Sequence, residues 1–433
     1  MIFHRLAFSV LVAFSFAACT TQDVPPRASS TPSPSPSATG DWPMYRGDPA
    51  RDGHPPGATL TAAGARKLKA VWQVELVGPV NGTPVVAGGV VVAASAGGVV
   101  SAYRFDTGAR IWQVDGFGRI SASPTIDGTR VFVGTLDGHI VALDLALGTK
   151  LWDTPAPGER PAIWSSPAVY GQQVLVGVGS QYGDSPLEAG RVIALDVASG
   201  RQVWSLCARA QCGVGDGIWS TPAFDGAGHG YIGVGNPDDA VLAFDAATGN
   251  RLWMTSFHPD SGRDVDVGAT PIVLRSGGRD VVAVGSNAGV FKMLDAATGS
   301  VIWSRDLVNG SAVHGLLASP GYDGANLYVA SASAPVGVFG LSPADGKTLW
   351  SYDSGLPVYS APAIGNGVVV FGIGDAFGDP NAGGVVALSS QAGAVLWIAD
   401  FHSAVFSAPA IAGDTVLVGN SRGDLIAYRP ANS

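Results

Sequence analysis

Ala142-Leu-Asp144-Leu-Ala-Leu-Gly148-Thr-Lys-Leu-Trp152 decides the fold, because the chain repeats it. The pattern returns as Ala194-Leu-Asp196…Gly200-Arg-Gln-Val-Trp204, Ala243-Phe-Asp245…Gly249-Asn-Arg-Leu-Trp253 and Met293-Leu-Asp295…Gly299-Ser-Val-Ile-Trp303. Variants surround Trp112, Trp350 and Trp397, and Leu68-Lys-Ala-Val-Trp72 carries only the closing part. A second series runs independently through Thr83-Pro84, Ser123-Pro124, Ser166-Pro167, Thr221-Pro222, Thr270-Pro271, Ser319-Pro320, Ala361-Pro362 and Ala408-Pro409. Pro84 to Pro409 and Trp72 to Trp397 both span 325 residues, so both series repeat about every 46 residues.

One unit divides into four apolar, β-branched runs: Thr83 to Ala87, Val90 to Ala94, Val99 to Phe105 and Arg110 to Val114. Gly88-Gly89, Gly97-Gly98 and Asp106-Thr-Gly108 supply the turns between them. Proline at the first residue of a strand removes no ladder hydrogen bond. Four strands repeated radially predict an all-β, eight-bladed β-propeller. After Pro409 the chain has three strands left, and the orphan strand at Lys69 to Val77 would supply the fourth. That pairing would close the ring and remove its exposed edges.

Composition agrees. The 433 residues include 60 Gly and only 14% charged residues, which suits strands joined by tight turns. Of 34 acids only Glu75, Glu159 and Glu188 are glutamate; the rest are aspartate, a turn-former. A net charge of −9 without a basic cluster excludes nucleic acid as a partner, since binding it rests on neutralising phosphates. The seven histidines show no paired metal-ligand spacing.

Residues 1–18 read as an export signal, with Arg5 ahead of the apolar run Leu6 to Ala18, which is too short to span a bilayer. Phe16-Ala-Ala-Cys19 resembles a bacterial lipobox, which implies lipidation of Cys19; Phe16 stands where an aliphatic residue is usual. The alternative is a plain secretory signal. Residues 19–40 form a Pro/Ser-rich tether and 41–433 the propeller. The expected location is therefore the cell envelope, outside the cytoplasmic membrane, with the membrane reached only through the lipid. In that oxidising compartment Cys207 and Cys212 are expected to form a local disulfide.

The repeat Ala-x-Asp-x-x-x-Gly-x-x-x-Trp resembles the tryptophan-docking repeat of the PQQ-type propellers. Asp41-Trp-Pro-Met-Tyr-Arg-Gly-Asp-Pro-Ala-Arg-Asp-Gly53 resembles the segment that precedes their first blade. The likeness covers about residues 41 to 430. It implies packing of blade on blade through Trp72, Trp112, Trp152, Trp204, Trp253, Trp303, Trp350 and Trp397. That family includes quinoprotein alcohol dehydrogenases, polyvinyl-alcohol dehydrogenase-like proteins, sensor domains and a lipoprotein of outer-membrane barrel assembly. Fold alone does not choose among them.

Three stretches are similar to the sites of the quinoprotein enzymes, in the same order. Leu187-Glu188-Ala-Gly190 and Gly233-Val-Gly-Asn236-Pro237 imply Glu188 and Asn236 as calcium ligands. His258-Pro-Asp260…Asp264-Val-Asp266-Val-Gly268 implies Asp264, or else Asp266, as the catalytic base. Trp219 and Asn287 fall near the positions that contact the quinone, but the stacking indole would be at Thr221 and Asn287 replaces a basic residue. The adjacent cysteine pair and the haem motif of those enzymes are missing. Trp164 and Trp219, outside the docking series, could line the funnel as stacking platforms, although core packing is the commoner role for such residues. The expectation is a non-catalytic scaffold binding an extracytoplasmic protein or small ligand, without a cofactor. The alternative is a dehydrogenase using PQQ and Ca²⁺.

Overall fold

The computed structural model describes residues 40–182, 186–258 and 264–431. The export signal, Cys19 and the tether up to residue 39 lie outside them, as does Asp260. Blade 1 is the antiparallel sheet Val85–Ala87, Val90–Ser95, Val99–Arg104 and Arg110–Val114. Its inner strand begins two residues later than the sequence suggests, because Thr83 turns its N–H away from the ladder to the Ser123 hydroxyl at 2.8 Å. Blades 2 to 7 repeat the order, with inner strands Thr125–Asp127, Ala168–Tyr170, Ala223–Phe224, Ile272–Ser276, Gly321–Tyr322 and Ala363–Gly365. Blade 8 starts at Ala410–Ala412, and its fourth strand is Leu68–Glu75, paired antiparallel from Leu68↔Pro430 to Glu75↔Asp424. The eight-bladed ring and its closure by the N-terminal strand are as the repeat predicts.

The docking tryptophans work through glycine. Gly108, Gly148, Gly200, Gly249, Gly299, Gly346 and Gly393 sit at φ +65 to +73°, and a Cβ on any of them would come within 2.8 Å of the preceding blade's indole. Each indole thus lies on bare backbone. Six also donate Nε1–H to a carbonyl of the next blade: Trp72 to Phe105, Trp112 to Leu145, Trp152 to Val197, Trp253 to Ala296, Trp303 to Pro343 and Trp350 to Ser390, at 2.8–3.1 Å. Trp204 docks on Gly249, but its buried Nε1 has no acceptor. Trp397 faces blade 8, whose outer hairpin is replaced by the chain's two ends, and packs edge-on against Tyr428 at 4.9 Å.

The Ser/Thr-Pro series forms an inner ring. Thr83, Ser123, Ser166, Thr221 and Thr270 each donate their N–H to the hydroxyl of the next blade's counterpart, ending at Ser319, at 2.8–3.0 Å. Ala361 and Ala408 carry no hydroxyl, so the chain of bonds stops there.

Beneath this ring, residues 42–60 run as a strap around the axis. Trp42 pairs with Val86, Pro43 accepts from Ile126, Pro49 from Phe224, Ala50 from Val273, Asp52 from Tyr322, Gly53 from Ile364, and Thr59 donates to Gly413. Seven of the eight blades are bonded in chain order. Arg46 and Arg51 are fully buried within the strap. Arg46 donates to the Pro320 and Pro362 carbonyls and Arg51 to that of Pro222, so the prolines of the inner ring also anchor the strap.

Candidate functional site

The third residue before each ring proline faces the axis on the side opposite the strap. In blades 1 to 4 these residues are Asn81, Ser121, Trp164 and Trp219; in blades 5 to 8 they are Gly268, Leu317, Tyr359 and Phe406. All but Gly268 border a funnel of about 640 Å³, within the range of small-molecule sites. The aromatic members belong to blades 3 and 4 and to blades 7 and 8, which stand across an eight-membered ring from each other. Trp164 and Trp219 are thus funnel residues rather than the core-packing residues that such indoles more commonly are. Tyr359 and Phe406 went unread there, although the fixed offset from Ala361-Pro362 and Ala408-Pro409 marks them.

Trp219 is held from behind. A Cβ on Gly268 would fall 2.3 Å from its Cη2, so the indole leans on the one ring position with no side chain. Trp164 is fixed by Nε1–H donation to the Ser180 carbonyl at 2.9 Å.

Asn236, Asp264 and Asp266 come together at the funnel wall. The Asn236 side-chain amide donates to Asp264 Oδ1 at 2.7 Å, and its backbone N–H donates to Asp266 Oδ1 at 2.9 Å. Gly233 and Gly235 make this approach possible: a Cβ there would lie 2.0 Å from the Val267 carbonyl and 2.9 Å from Asp266 Oδ1. Glu188 is not brought to them. It is buried, its Oε1 accepts the Arg160 N–H, and a Cβ on Gly158 would lie 2.5 Å from its Oε2. Asn287 is also fully buried behind the wall: its N–H donates to the Asp266 carbonyl, its amide donates to the Ala312 carbonyl, and its Oδ1 has no partner. Thr221, where the enzymes place their stacking indole, belongs to the hydroxyl ring.

Asp216 carries no signal in the sequence and lies at the joint of this region. Fully buried, it accepts the Asp238 N–H at 3.1 Å and gives its own N–H to the Asn236 carbonyl. Burial is the main reason its carboxyl is pushed up to about 6; the Asp238 N–H and the charge of Arg209 oppose this. Arg209 Nε lies 3.8 Å from Oδ2. Arg209 sits in the short loop closed by the Cys207–Cys212 disulfide, which forms as expected.

The resemblance to quinoproteins implies Ca²⁺ and PQQ, and of that donor set the described residues bring Asn236 and Asp264 together but not Glu188. No group of three or more His, Cys, Asp or Glu is placed to hold a metal ion among them, whereas calcium requires six to eight oxygens. Glu188 is committed to the Arg160 loop. PQQ is a tricarboxylate, and no Lys or Arg is found among the described residues lining the funnel.

Ring, strap and funnel together define an eight-bladed propeller of the PQQ type. The family model described as outer membrane protein assembly factor BamB matches residues 56–214, 98–312 and 287–433, and the chain belongs to that family. A polyvinylalcohol dehydrogenase from Sphingopyxis sp. (strain 113P3) is 28% identical over 217 residues, 38% of this chain and 33% of its own. The chain therefore spans about a third of that relative's length. Quinohemoprotein alcohol dehydrogenase from Comamonas testosteroni superposes with a TM-score of 0.79 at 18% identity, over 92% of this chain and 82% of that one. BamB from Moraxella catarrhalis gives 0.64 at 21%, over 83% of this chain and 97% of that one. At such identities these structures share the fold.

Proposed function

We propose that this chain is a non-catalytic binding propeller of the cell envelope, held outside the cytoplasmic membrane by a lipid on Cys19, whose funnel takes a small ligand. One observation carries the reading: a funnel of about 640 Å³ is walled by aromatic side chains, while Glu188 is turned out of it to the Arg160 N–H. The BamB description of its family supports a binding role rather than a chemical one.

The full chain, titrated with PQQ and Ca²⁺ and followed by tryptophan fluorescence, should show no calcium-dependent binding and no alcohol-dependent reduction of an artificial electron acceptor. The alternative is a PQQ-dependent alcohol or polyol dehydrogenase, favoured by the Asn236–Asp264 hydrogen bond and by the polyvinylalcohol dehydrogenase relative. Turnover that is abolished in Asp264→Ala would replace the binding reading with the enzyme. Labelling of the expressed protein with radioactive palmitate should be lost in Cys19→Ala; unchanged labelling would remove the anchor assignment.

A further inference from the structure

The funnel's walls have a sign as well as a shape. Six aromatic residues line it: Trp164, Tyr182, Trp219, Tyr359, Phe377 and Phe406. Apart from the two tyrosines, its only titratable lining residues among those described are Asp264 and Asp266; no described lining residue is Lys, Arg or His, although the His314 ring packs against Phe377 and Tyr359 at 5.7 and 6.3 Å between centroids. Arg160 reaches the rim, where its guanidinium donates to Gln181 Oε1 at 3.1 Å. Both carboxylates accept hydrogen bonds from Asn236, which fixes them against the wall.

The rings also border the funnel from more than one side. They rise from opposed blades, and Tyr359 and Phe406 meet at an interplanar angle of 78°. A sugar or planar ligand needs one aromatic face to stack on, whereas a rounded cation can be met by rings on several sides. Aromatic faces attract an ammonium group by about 0.5–2 kcal/mol each, more as water is excluded. A carboxylate nearby adds charge-assisted attraction. The chain's net charge of −9 works in the same direction at longer range.

We infer that the funnel binds a bulky organic cation, a quaternary or protonated amine held among the Trp164, Trp219, Tyr359 and Phe406 rings with Asp264 and Asp266 beside it. This rests on the reading of the funnel as a binding site and adds the ligand's chemical class.

The test is calorimetric titration of the full chain with choline and, in parallel, with its uncharged analogue in which carbon replaces nitrogen. Choline should bind and the analogue should bind at least about tenfold more weakly. Choline affinity should fall with added salt. It should also fall about tenfold or more in Trp219→Ala and severalfold in Asp264→Asn, a variant that keeps an oxygen for the Asn236 amide. Melting temperatures close to wild type would show that both variants fold. Equal binding of the two probes would overturn the cation assignment and leave the binding funnel standing. Absence of choline binding, or binding of a neutral disaccharide in its place, would overturn it as well. Quinone-dependent turnover would instead defeat the underlying reading.

Discussion

Seven indoles rest on seven glycines, and one of them does so with an idle hydrogen-bond donor. Trp253 donates to Ala296 while Trp204, the same residue one repeat earlier, leaves its buried Nε1 unmatched. Trp253→Phe removes both ring area and a hydrogen bond; Trp204→Phe removes ring area and relieves an unsatisfied donor. The first should cost about 1 kcal/mol more than the second, read as the difference in urea midpoint. Gly148→Ala should cost more than either, because φ is +70° and the new Cβ would lie 2.7 Å from Trp112. Asp216 gives a pH signature. Its carboxyl rises from 3.8 to about 6 in the fold, so below about pH 4 it is protonated in both states and costs nothing. Between pH 4 and 6 the unfolded chain ionises first, and stability falls as pH rises. The loss, of the order of 2–3 kcal/mol, persists above pH 6. Asp216→Asn should flatten that slope, seen by comparing wild-type and variant unfolding at pH 4 and pH 7. The repeat glycines and tryptophans were legible because their spacing recurs. Asp216 was not: a single aspartate in a chain rich in them looks like a turn residue until burial is known.

At the scale of elements, the strap and the disulfide loop each hold something other than themselves. Arg46 satisfies carbonyls of blades 6 and 7 from inside the strap, and burial draws its guanidinium below the usual value. Arg46→Ala would leave those buried carbonyls unpaired and should lower stability by about 3 kcal/mol or more, measured by denaturant unfolding. The sequence marked residues 41 to 53 by resemblance but gave no hint of their course. The strap follows the blades rather than a period of its own, so neither alternation nor heptads betray it. The disulfide was readable from cysteine count and compartment. Its link through Arg209 and Asp216 to Asn236 depends on loops that meet only in three dimensions, and the same is true of Glu188, whose Glu-x-Gly surroundings pointed to a metal while its side chain chose the Arg160 N–H.

For the whole molecule, the ring has one seam, between Leu68–Glu75 and Asp424–Pro430. Paired proline substitutions in the seam strand, Gln73→Pro with Val74→Pro, leave the strap in place and should free the Asp424–Pro430 edge of blade 8, which invites pairing between copies. Size-exclusion chromatography should show oligomers or aggregates in place of the wild-type species; a well-behaved variant of wild-type elution would mean the seam is dispensable. Fold and closure were legible because two marker series share one count and one period. The funnel was half legible, since its aromatic ring is written at a fixed offset from the prolines, yet which offset faces the axis becomes visible only when the ring closes.

The strap also sets an order of events in time. Its residues leave the ribosome ahead of every blade, and its partner Gly413 follows about 350 residues later. A nascent chain therefore carries this segment without its native partners while seven sheets assemble behind it, and the latch and seam engage only once blade 8 has been made. Until that blade emerges there is no closed ring, and a chain that stops short of it carries a strap with nothing to latch.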